Sequence, residues 1–135
     1  MALIQDRIGT FERDNKQFSF PVKTAVKLYA GGIVVIDATG YATKGAVATT
    51  LKCVGVAEEQ VDNSAGADGA LNVPVRRGLF KFKNSSAGDL IARTDIGADC
   101  YIVDDETVAK TNGTSTRSVA GKIRDVDAGG VWVEI

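Results

Sequence analysis

Apolar side chains in this chain recur at every second position, in runs too short for anything but strands. Phe18 and Phe20 alternate with polar neighbours, as do Leu71, Val73 and Val75 and then Phe80 and Phe82, and Gly, Asn, Asp or Pro closes the runs. No stretch of about a dozen residues carries the spacing of an apolar helix face. The pattern predicts an all-β fold: a single compact β-barrel or sandwich-like domain of short antiparallel strands.

Along the chain, Pro21 cannot donate to a ladder, so the strand it closes is read as an edge strand or a strand end. Residues 25–29, 33–37 and a short return after Thr39-Gly40 read as two successive hairpins broken at Gly31-Gly32. Residues 51–58 read as a half-buried strand, and the VDNSAGADG stretch at 61–69 as a long exposed loop. Gly78 reads as a bulge or bend, residues 85–100 as a connection holding a helical turn capped by Ser85 or Ser86 and a second short turn at Asp95-Ile96-Gly97, and the chain closes with strands at 101–103, 107–109, 118–125 and 131–135. No repeat at a fixed period appears, and no linker divides residues 17–135, so one β domain with one core is expected. Residues 1–16 alternate charges with the isolated apolar residues Leu3, Ile4, Ile8 and Phe11, too few for a core element. They read as an extended N-terminal arm that needs a partner.

Several function classes are disfavoured by composition. A formal net charge of -1 gives no field to attract a polyanion, so direct nucleic-acid binding is not expected. No apolar run approaches the roughly 20 residues of a membrane helix. The start MALIQDRIGTFERD has no signal-peptide pattern, so a cytosolic location is expected. Histidine is absent, which removes Ser/His/Asp and Cys/His nucleophile systems and the commonest zinc ligand. Cys53 and Cys100 lack metal-ligand spacing and are expected as free buried thiols.

What chemistry is left lies in three short motifs. GYATKG at 40–45 has Thr before Lys and no helix to follow, so it fits a hairpin turn better than a phosphate loop. Asp104, Asp105 and Glu106 sit between β-formers: a solvated turn is the simplest account, with a cation site or paired-carboxylate catalysis as the sharper ones. RRGLFKFK at 76–83 puts Phe80 and Phe82 on one face and Lys81 and Lys83 on the other. A solvated strand face, a charged contact with a protein and base stacking all remain open there. Arg76, Arg77 and Lys81 are therefore candidate interface residues, as is Trp132, which faces opposite to Val131 and Val133 and either fills the core or anchors an interface. No catalytic residue, cofactor or metal site is assigned, and an enzyme is not expected.

The stretches QDRIGTFERDNKQFSFPV, VKLYAGGIVVIDATG, VGVAEEQVDN and VPVRRGLFKF, and above all YIVDDETVAKT and GVWV, resemble the small β proteins encoded beside the major head protein in Mu-like tailed phages and prophages. These are similar to capsid cement, or decoration, proteins. The resemblance implies a non-enzymatic virion component, made in the host bacterial cytoplasm, that binds the outer capsid surface and strengthens the head. It also implies the major capsid protein as partner and a homotrimer as the assembled form. On that footing the arm, with Leu3, Ile4, Ile8, Phe11, Phe18 and Phe20, would dock on a capsid subunit or a neighbouring protomer by strand addition. The competing expectation is a monomeric binding module of the virion, such as a carbohydrate-binding head or tail protein.

Overall fold

The computed structural model describes residues 2–135, and among them the only helical elements are two single 3-10 turns, Ala87–Asp89 and Arg93–Asp95. The strands are β1 (Gln17–Pro21), β2 (Val26–Leu28), β3 (Ile33–Ile36), β4 (Ala42–Lys44), β5 (Lys52–Ala57), β6 (Val61–Asn63), β7 (Asn72–Arg76), β8 (Leu79–Phe82), β9 (Asp99–Ile102), β10 (Val108–Ala109), β11 (Val119–Asp127) and β12 (Gly130–Glu134). They form two five-stranded antiparallel sheets, ordered β1-β7-β5-β3-β4 and β10-β9-β11-β12-β8, and a separate β2-β6 pair. The all-β expectation holds.

Each large sheet curls until its edges meet. Val22, just past β1, makes a parallel bridge to Ala42 of β4, and Lys83, just past β8, makes one to Thr107 beside β10. The two sheets also run in the same register. Ile33 pairs with Val56 as Asp99 pairs with Lys122, Val34 with Gly55 as Cys100 with Gly121, and Val35 with Cys53 as Tyr101 with Val119. Phe18 faces Val75 as Phe80 faces Val133. Each unit carries a bulge at the same place, at Val54 in the first and Ala120 in the second, followed by a glycine; the second unit has a further irregularity at Arg124. A Cβ on Gly55 would collide with the Arg76 carbonyl oxygen, and one on Gly121 with that of Glu134. Only glycine lets β5 approach β7, and β11 approach β12, so closely. The chain is thus an internal structural repeat, where the sequence showed none: few of the paired positions keep their residue, Gly55/Gly121 and Phe18/Phe80 among them, while Ile33/Asp99 and Val56/Lys122 change from apolar to charged.

Two cores follow from two curled sheets, in place of the single one expected. One gathers Val22, Val34, Ala42, Val73 and Val75 inside the first unit with Leu28 and Val61 of the β2-β6 pair. The other gathers Phe82, Ile102, Val108, Val131 and Val133 of the second unit with Ile33, Val35 and Val56 of the first. Here lies the reason for the unbroken apolar run IVVI. Ile33 and Val35 point to the second unit while Val34 and Ile36 point into their own, so β3 is covered on both faces. Ser118 ties the units further, its Oγ donating to the Ala48 carbonyl and accepting from the Leu51 N–H.

Three local expectations need correction. The strand before Gly31-Gly32 does not turn back on β3, for β2 pairs with β6 and β3 with β5. The Gly31 N–H instead donates to the Ala57 carbonyl, spending the glycine pair on β5. The stretch expected as a loop begins as β6, and Asn63 within it is 1% exposed, its side-chain amide donating to the carbonyls of Val22, Lys23 and Ala67. The third holds in part: Gly78 is a bend, one of its two expected readings, but it marks the crossing from the first sheet to the second and not a bulge inside one strand.

Candidate interaction surface

The described part of the arm forms no strand or helix, and its apolar side chains lie open: Leu3 is 72% exposed, Ile4 89%, Ile8 94% and Phe11 97%. Surfaces of folded chains scatter single apolar residues, but a cluster on one unstructured segment buries nothing of its own. The arm meets the body at its foot. Arg13 holds its guanidinium over the Phe18 ring at 4.9 Å, the Asn15 side chain accepts from Arg77 Nη1 at 2.7 Å, and the Lys16 carbonyl accepts the Arg77 N–H at 2.8 Å. That last bond matches the one from the Ile135 N–H to the Gly78 carbonyl in the second unit.

Phe18 and Phe20 are half-buried and stack with centroids 5.9 Å apart. With Cys53, Val54, Arg77 and Ile135 they line an open, largely apolar groove of about 290 Å3 directly beneath the arm's foot. The structure therefore joins Phe18, Phe20 and Arg77 of the sequence candidates in one place. Arg13, Asn15, Val54 and Ile135 complete it and were not singled out. Val54 was legible as the alternate face of its strand, whereas nothing local marks the C-terminal Ile135.

The remaining candidates fall elsewhere. Trp132 does not enter the core, because Val131 and Val133 take the buried side of β12. It is half-buried on the outer face, its indole N–H donating to Asp127 at 3.2 Å, with the Lys81 ammonium 5.7 Å from its ring. Lys81 in turn pairs with Asp127 at 2.9 Å. Lys81, the Gly129 N–H and the indole together hold the Asp127 carboxyl down at about 2. Arg76 is exposed, 5.9 Å above the Phe80 ring. Lys81, Asp127 and Trp132 thus answer one another, and Arg76 answers the Phe80 ring.

The acidic tip is also occupied internally. Asp104 accepts the Glu106 N–H at 2.9 Å, Glu106 pairs with Lys83 at 2.7 Å, and the Asp105 backbone carbonyl accepts the Ile33 N–H. The three carboxylates do not converge, and among the described residues no group of three or more His, Cys, Asp or Glu side chains is placed to hold a metal ion. Cys53 and Cys100 are free, and burial pushes their thiols up to about 11 and about 12. No helix among the described residues is long and apolar enough to cross a membrane. No family model matches the chain, and neither a curated protein nor a solved structure matches it.

Proposed function

We propose that the chain is a structural protein of a tailed-phage virion, a cement or decoration protein that binds the major capsid protein on the outside of the head. The arm's four exposed apolar side chains are the observation that carries this, standing before a body whose own cores are closed. The sequence resemblance to the proteins encoded beside phage head genes supplies the partner, and repeated copies, in trimers, supply the strength.

Magnitudes explain why a repeated arrangement suits such an arm. Fully burying each apolar side chain contributes roughly 1.5–3 kcal/mol. Ordering the backbone that carries it costs about 1–2 kcal/mol per residue. Four apolar residues in a stretch twice as long leave a single arm near balance. Main-chain hydrogen bonds and several simultaneous attachments turn that balance into firm binding. The test is cosedimentation of the purified chain with heads of its own phage that lack it. Saturable binding, weakened when residues 1–12 are deleted, is the expected outcome; no binding of the full chain overturns the proposal.

A further inference from the structure

Taking the arm as a docking element, as proposed above, we infer that its receptor is a second copy of this chain: Phe11 enters the groove of Phe18, Phe20 and Val54 on a neighbouring protomer. The internal repeat shows that this groove is unfinished. Phe82 and Ala120 of the second unit are 6% and 3% exposed, buried beneath apolar residues gathered from both units. Their register counterparts in the first unit, Phe20 and Val54, are only half-buried and open into the groove. At these two positions the same architecture is covered in the second unit and open in the first, while Phe18 and its counterpart Phe80 are half-buried in both.

The occupant has to be apolar, exposed and matched to a cationic rim. The arm offers Phe11 at 97% exposure followed by Glu12, and the groove has Arg77 at its edge with Arg76 next in sequence. Phe11 would fill the apolar floor while the Glu12 carboxylate meets the Arg77 guanidinium. A protomer does not fill its own groove: Arg13 lies over Phe18 at the rim, and Phe11, two residues earlier, is in solvent. Each copy therefore gives an arm and offers a groove, a head-to-tail arrangement that closes into a ring when the rotation allows. An extended arm spans ~3.3 Å per residue, so residues 3–12 reach well past the edge of their own unit.

Sedimentation velocity on the full chain, on Phe11→Ala and on Phe11→Cys tests this. Phe11 touches nothing in its own protomer, so both variants keep the body folded. The expected result is concentration-dependent association of the full chain, weakened at least tenfold in Phe11→Ala. Mild oxidation of Phe11→Cys should then give an intermolecular disulfide to Cys53, two thiols losing two electrons and two protons to the oxidant, that vanishes when Cys53→Ser is added. A full chain that stays monomeric, association untouched by Phe11→Ala, or a cross-link found only within one chain would each overturn the inference. If the chain associates through Phe11 but does not bind heads, the groove assignment stands and the capsid role falls. If it binds heads as a monomer, the reverse holds.

Discussion

The two five-stranded units share topology, register and a bulge followed by glycine, yet they are finished by different means. The first takes the β2-β6 pair into its core and turns an apolar outer face, Ile33, Val35 and Val56, toward its neighbour. In the second, the counterparts of Ile33 and Val56 are Asp99 and Lys122, which form a 2.7 Å ion pair. A repeat whose end unit repeated the apolar face would stack without limit; polar end units are how repeat architectures stop. What remains open is the groove at Phe18 and Phe20, so the surface left for a partner lies beside the arm and not at the end of the stack.

The strongest way to break this equivalence is at the glycines. Gly55→Ala and Gly121→Ala each push a methyl group into a backbone carbonyl, and Gly55 also has φ +141, which only glycine adopts freely. Both should destabilise by on the order of 4 kcal/mol in chemical denaturation. Tolerance of alanine at either position would show that the close approach is not shared.

Phenylalanine truncation should separate the units. Phe82→Ala removes a buried ring and should cost about 3–5 kcal/mol. Phe20→Ala, at a half-buried counterpart, should cost roughly half as much in the dilute monomer. Equal losses would mean that the groove is already covered.

Acid should act on the first unit mainly through one covered carboxylate. The Lys23 ammonium, followed by the Thr39 hydroxyl, holds the Asp37 carboxyl well below the usual carboxylate range, and the Lys23–Asp37 pair lies at 2.7 Å with Asp37 largely covered. A depressed carboxylate stabilises the fold above its unfolded value of about 4, and that contribution is lost as pH falls through the lower folded value. Asp37 corresponds in register to Val103, and the nearby pair in the second unit, Lys83–Glu106, is mostly exposed. Unfolding followed from pH 5 to pH 2 should therefore show a stability decline that Asp37→Asn flattens and Glu106→Gln scarcely alters. The smallest effect is expected at Asp99–Lys122, whose double-mutant coupling should be about 0.5 kcal/mol, since both partners are exposed. A value several times larger would make this pair part of a covered interface.

Alternation made most of the strands legible: β1, β3, β5, β7, β8 and β12 fall where the apolar pattern puts them. The pattern went wrong at Gly31-Gly32 and at residues 61–63, where the local chemistry of turns is sound but the partner strands are distant in sequence. It is equally silent about the groove. Phe18 and Phe20 announced a face; that Val54 and Ile135 complete it depends on how the sheet curls.

By itself, then, the sequence determined the fold class, the lack of histidine-based chemistry and that Leu3, Ile4, Ile8 and Phe11 have no place in a core, because period, composition and hydrophobicity are properties of short windows. Only the tertiary structure decided that the chain is two units in one register, which face is covered and which is open. Register is held by backbone hydrogen bonds and close approach, which many side-chain sets satisfy, so the repeat persists in geometry after its trace in residue identity has faded.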